Sequence, residues 1–163
     1  MKLIDIMLTI LLFQYNNFAQ ENNGSTSVFN ISEIYLAKGV IFSENSRYIG
    51  NDANNKIRFT PSLKEIRDAE KILLNSLFFK TEVDTLVCQS PNIEMVMDYY
   101  RQYFGYIESD GSKIIVMYFM NVKERPFLFE DWNKICSIGF GDEYYKNSHL
   151  EWVNITNKKR IFK

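Results

Sequence analysis

The chain has 163 residues, enough for one domain with one core, and its 19 Lys and Arg against 20 Asp and Glu leave a formal net charge of −1. That balance argues against nucleic acid or an anionic membrane surface as the partner, since both favour a clearly basic face. Hydrophobic residues are an ordinary 46 % of the chain, but aromatic residues reach 15 %, which raises the question of which rings are core.

Residues 1–19 have the layout of a secretory signal: Lys2, an apolar run from Leu3 to Phe13, then a polar stretch ending in Ala19. The run is shorter than the roughly 20 residues that span a bilayer, so it reads as an export signal cleaved after Ala19, with a buried N-terminal helix or strand as the competing reading. Residues 20–30, QENNGSTSVFN, read as a flexible polar arm, and 31–163 as a single α+β domain. The expected location is the periplasm or outside the cell, with no stable membrane insertion once the signal is removed.

Within the domain, Ile34 to Phe42 is expected to form a strand with a bulge or bend at Gly39, and Lys56 to Phe59 a short one. Thr60-Pro61 marks a helix start, with Ser62 and Glu65 as an alternative capping-box boundary. Leu63, Ile66, Ala69, Ile72, Leu73 and Leu77 then recur at helical spacing. Lys80 to Gln89 reads as an edge strand, and Asn92 to Asp98 as a short helix after Ser90-Pro91.

The strongest local signal is YYRQYFGYIESDGSKIIVMYFM, Tyr99 to Met120, in which two aromatic and β-branched runs flank Asp110-Gly111. A two-residue type I′ turn there would set Glu108 opposite Lys113, Ile107 opposite Ile114, Phe104 opposite Met117 and Gln102 opposite Phe119. Beyond a polar connection, Asn133 to Phe140 and His149 to Thr156 are expected to be further sheet strands, GDEYYKNS a loop, and Arg160 to Lys163 a last short strand.

The element order implies an α+β fold with one main helix packed on a curved antiparallel four- to five-stranded sheet, and it resembles that of cystatin-like and NTF2-like rolls. Separately, RFTPSLKEIRDAEKILL, Arg58 to Leu74, together with Tyr99 to Ile115, resembles a group of small exported bacterial proteins of unknown function. That resemblance implies export and one compact domain, and it carries over no catalytic residue.

No complete catalytic set is visible. A nucleophile–histidine site would have to use His149, the only histidine, which no nucleophile-elbow pattern accompanies. With Glu151, Asp142 and Glu143 it could form an oxygen-rich cation site, but the spacing is poor, and no metal or cofactor is assigned. Cys88 and Cys136 are an even pair that could form a disulfide worth about 4 kcal/mol on the chain-entropy model, or could be two buried thiols. Arg101 among aromatics could clamp a carboxylate or phosphate of a ligand, or pair with a carboxylate of the chain itself.

Only one hairpin face can pack under the helix. The other carries either Tyr103, Tyr118 and Ile114 or Phe104, Tyr106 and Met117, which is too much apolar surface to leave in water. Either loops cover it or a partner does. The reading is therefore a non-enzymatic binding domain that engages a protein or peptide through an aromatic sheet face or an edge strand, with Arg101, Tyr103, Phe104, Tyr106 and Tyr118 as binding residues. An inhibitor or immunity protein is one concrete form. The alternative is a small-molecule-binding or enzymatic roll with a pocket between helix and sheet.

Overall fold

The structure, a computed structural model, describes residues 28–31, 37–46, 48–49, 56–78, 93–139 and 141–162. Its centre is the hairpin formed by β5 (Tyr100–Ile107) and β6 (Lys113–Met120). Around it β1 (Val28–Asn30), β2 (Lys38–Ile41), β4 (Ile57–Phe59), β8 (Ser148–Asn154) and β9 (Lys159–Ile161) complete a seven-stranded sheet of order β1-β2-β5-β6-β8-β9, with β4 also on β5. β2 lies along the first half of β5 (Gly39 opposite Arg101) and β4 along the second (Phe59 opposite Gly105). Two further short strands, β3 (Tyr48–Ile49) and β7 (Cys136–Ser137), form a separate parallel pair. Among the described residues the helices are α1 (Leu63–Phe78), α2 (Ile93–Asp98) and α3 (Asp142–Asn147). The fold is α+β. Among the described residues no helix is long and apolar enough to cross a membrane.

The sheet is mixed where an antiparallel one was expected, because β2 runs parallel to β5 while the other pairs of this sheet are antiparallel. A hairpin or meander returns the chain antiparallel, but β2 reaches β5 only after the long excursion through α1, so the local turns do not constrain its direction. The stretch read as a third sheet strand, Asn133 to Phe140, contributes only β7, which pairs with β3 outside the main sheet. The segment read as a loop, GDEYYKNS, contains α3. The edge strand expected at Lys80 to Gln89 lies outside the described residues, as do residues 1–27 with their expected signal.

The hairpin exists, but its register differs by one residue from the expected one. Ile107 faces Lys113, Tyr106 faces Ile114, Phe104 faces Val116 and Gln102 faces Tyr118. The cause is the turn. A type I′ turn needs positive φ at both central residues. Here only Gly111 is left-handed (φ +83°), and Lys158 is the one non-glycine residue with positive φ among those described. The chain therefore closes over three residues, Ser109, Asp110 and Gly111, with Glu108 N–H donating to Ser112 O (2.9 Å) and Gly111 N–H to Glu108 O (2.9 Å). The Asp110 carboxylate accepts from the backbone N–H of Ser112 (2.9 Å) and from its hydroxyl, which favours this wider loop.

A one-residue shift changes which side chains share a face. Arg101, Tyr103, Ile115, Met117 and Phe119 now stand together, and Ile66, Ala69 and Leu73 of α1 pack on Tyr103, Ile115, Met117 and Phe119. Gln102, Phe104, Tyr106, Ile114, Val116, Tyr118 and Met120 occupy the opposite face. α1 begins at Leu63 through the capping box: Ser62 N–H donates to Glu65 Oε2 (2.8 Å) and Glu65 N–H to Ser62 Oγ (3.3 Å). Gly39 is an ordinary strand residue and not a bulge. Its missing side chain makes room for the rings of Phe29 and Tyr103, which stack over it at 5.9 Å, and a Cβ there would fall 2.7 Å from Phe29 Cζ.

Candidate functional site

On the α1 side the sheet is filled. Tyr103 is fully buried, and its hydroxyl donates to Glu70 Oε1 at 2.7 Å. Arg101, also fully buried, places Nε 3.1 Å from the same oxygen. It also donates to the carbonyls of Val96 and Tyr99 and lies over the Phe119 ring at 4.5 Å. The Arg101 guanidinium is thus committed to the chain's own carboxylate and carbonyls, which leaves it no free edge for a ligand anion. At this point Ile66, Ala69 and Leu73 of α1 pack directly on Tyr103, Ile115, Met117 and Phe119.

The second face is covered in two parts. Phe104 and Tyr106 pack with Val40, Phe42, Ile114, Val116 and Cys136, flanked on the same face by Trp152 of β8 and Ile161 of β9. Burial pushes the Cys136 thiol up to about 12, only partly opposed by the nearby Arg58 charge, so it stays protonated and unreactive at neutral pH. Its proposed disulfide partner, Cys88, lies outside the described residues. Farther along this face, the segment after β6 folds back as consecutive tight turns. Arg125 N–H donates to Asn121 O, Leu128 N–H to Arg125 O, Trp132 N–H to Phe129 O and Ile135 N–H to Asp131 O. This roof presses Phe129 onto Tyr118 and Met120, with Trp132 against the edge of the same cluster.

Roof and sheet do not close completely. Between them is a cleft of about 310 Å³ lined by Gln102, Tyr118, Met120, the roof residues Phe127 to Trp132, Ile135, Gly139 and Tyr144. Gln102 belongs to its floor. The side-chain amide donates from Nε2 to both Trp132 O (2.6 Å) and Ile135 O (2.7 Å), pinning the roof at two points. Two carbonyl acceptors demand the NH2 end of the amide, so the orientation is forced. Oε1 is left buried with no hydrogen-bond partner. Few buried side-chain polar atoms go unpaired, and this one is also out of reach of solvent.

Tyr118 forms one wall. Its hydroxyl accepts from Gly139 N–H (3.3 Å) and donates to Ser148 Oγ (3.0 Å), which in turn donates to Tyr144 O (2.7 Å). Burial raises the phenol pKa, so Tyr118 is a neutral donor and acceptor at physiological pH. Tyr144 meets Phe129 edge-on at 5.7 Å. At the rim Phe127 is 94 % exposed. The lining carries two carboxylates, Glu130 and Asp131, and no cation; Lys134 pairs with Asp131 at 3.1 Å.

No family model, curated protein or solved structure matches this chain. The site must therefore be judged on its own geometry.

Of the five residues expected to bind, Tyr118 alone lines the cleft. Arg101 and Tyr103 lie under α1, while Phe104 and Tyr106 are core residues beneath the other cover. All five are at most 2 % exposed, so none presents a ring at the surface. His149 is placed on the α1 side, beside Phe119, with Nε2 2.5 Å from Glu151 Oε1. Arg160 grips both oxygens of that carboxylate (2.7 and 2.6 Å). Asp142 and Glu143 are exposed on α3, and among the described residues no three His, Cys, Asp or Glu side chains are grouped to hold a metal ion. Sequence reasoning missed Gln102 and Trp132. A glutamine in the middle of an otherwise aromatic strand was the available signal, since a polar side chain at such a position must find a partner.

Proposed function

We propose that the chain is a non-enzymatic binding domain and that its ligand, a protein or peptide segment, inserts a side chain into the cleft between the second sheet face and the 121–139 roof. The observation that carries this reading is a cleft of about 310 Å³, bounded by Gln102 and Tyr118 of the sheet and by the roof, whose rim holds a Phe127 side chain standing almost wholly in water. Ligand pockets for drug-sized molecules span about 300–1,000 Å³, and this cleft is at the lower limit. A single anchor side chain fits that size, and Phe127 offers apolar contact beyond it that a longer chain could cover. An export signal at residues 1–19 would put the encounter in the periplasm or outside the cell. The resemblance to small exported proteins and to cystatin-like or NTF2-like rolls supports a compact binding scaffold and no particular chemistry.

The test is selection of displayed random peptides on the purified chain, followed by affinity measurement on Phe127→Ala. Phe127 makes so little contact that its truncation should leave stability unchanged. Selected peptides should lose roughly tenfold in affinity on the variant. Peptides that bind both proteins equally would move the site elsewhere.

A further inference from the structure

The turn that closes the central hairpin is also a place where the chain can change covalently. Asp110 is followed by Gly111, and among the described residues no other Asp or Asn precedes a glycine. We infer that Asp110 is a modification site, isomerising spontaneously to isoaspartate through a cyclic imide with Gly111, and that the folded turn holds this reaction in check.

The step needs only the chain and water. The Gly111 amide nitrogen attacks Asp110 Cγ and forms an N–Cγ bond; the nitrogen gives up its proton and a carboxyl oxygen leaves as water. Water then reopens the five-membered imide at either carbonyl. Opening at the α-carbonyl routes the main chain through Cβ and Cγ of Asp110, one atom longer than before.

Access favours the reaction. Both residues are exposed, and Gly111 has no Cβ to shield its nitrogen, with open space where one would stand. The turn opposes it at both reacting groups. Gly111 N–H is committed to Glu108 O at 2.9 Å. The Asp110 carboxylate accepts from the Ser112 hydroxyl and from Ser112 N–H (2.9 Å), and these bonds, with the charge of Lys159, hold its carboxyl below the usual range. Only the protonated carboxyl readily loses water, so donors that favour the ionised form remove the reactive one. Ser112 is buried, and its own carbonyl accepts from Glu108 N–H, so the hairpin closure itself keeps these donors in place. An extra backbone atom in this three-residue loop should disturb the match of Glu108 with Ser112 that sets the register. Gln102 and Tyr118, paired across the same hairpin, bound the cleft, so the change reaches that site.

The experiment is prolonged incubation of the full chain at physiological temperature and pH, native and in guanidinium chloride, followed by tryptic mapping. The tryptic peptide Gln102–Lys113 holds Asp110 as its only Asp or Asn, and its isoaspartyl form separates by chromatography at unchanged mass. Isoaspartate should accumulate severalfold faster in the unfolded chain than in the native one. Native Ser112→Ala, which loses the hydroxyl donor and keeps the backbone donor, should fall between them. Asp110→Glu, which would need a six-membered ring, should form none. Absence of isoaspartate at Asp110 in the unfolded chain would remove the site. Equal rates in the native and unfolded chains, or a folded Ser112→Ala no faster than the parent, would overturn control by the turn. The comparison of native with unfolded parent chain decides the inference even where the variant does not fold.

Discussion

Replacing Glu70 by alanine gives the most demanding test of the packing beneath α1. Glu70 is 2 % exposed and is the anionic partner of Arg101, which is fully buried with its guanidinium against Phe119. Removing one member of a buried ion pair typically costs about 3–5 kcal/mol, because the remaining charge is left in a poorly polarisable site. Arg101 keeps its hydrogen bonds to the carbonyls of Val96 and Tyr99, so part of its solvation survives and the lower end of that range, about 3 kcal/mol, is expected. Tyr103 also loses the acceptor for its buried hydroxyl, adding roughly 1 kcal/mol. Urea denaturation of Glu70→Ala should therefore show a loss near 4 kcal/mol with an unchanged slope. A double variant, Glu70→Leu with Arg101→Met, should recover most of it, since apolar replacement of a whole buried pair is often neutral. A loss below about 1 kcal/mol for the single variant would mean that the pair is solvated and that this side of the sheet is not closed.

Two further outcomes follow from the turn and the cap. Gly111→Ala places a Cβ on a left-handed residue and should cost about 1–2 kcal/mol by denaturation, with Gly111→Asn less harmful; a neutral Gly111→Ala would restore a different turn. Burial alone would raise the Glu65 pKa, but the ammonium of Lys113 (2.7 Å) and the hydrogen bonds from Ser62 hold it below the usual carboxylate value. With the folded pKa depressed, its contribution is present above the ordinary glutamate pKa and is lost as the pH falls through the lower folded value. Glu65→Gln should accordingly flatten the acid limb of the stability profile, and an unaltered limb would refute the assignment.

What could be read from the residues alone was the local structure. Asp110-Gly111 between two β-branched runs, the apolar spacing of Ile66, Ala69 and Leu73, and Ser62 with Glu65 each act over a few residues, and each has its counterpart in the fold. The register failed on one dihedral angle, because Asp-Gly serves both the two-residue turn and the three-residue loop and only the φ of Asp110 separates them. Glu70 was hidden because its position on the apolar stripe is excused by Arg101 and Tyr103, residues on a distant strand. The cleft was invisible for the same reason. Its floor and roof meet through Gln102 and the carbonyls of Trp132 and Ile135, groups that every residue carries and that no composition marks.

The parallel ladder from β2 to β5 also has a consequence for how the molecule assembles. The β5–β6 hairpin closes over three residues, whereas pairing Gly39 with Arg101 closes a loop that contains α1 and α2. Loop closure of that length favours late formation, so refolding should order the hairpin first and dock β2 after the main barrier, with Gly39 substitutions speeding unfolding far more than they slow folding. Val40 is the residue opposite Gln102 on that ladder. The cleft floor should thus be among the last surfaces to be fixed, and a chain still folding has no finished cleft.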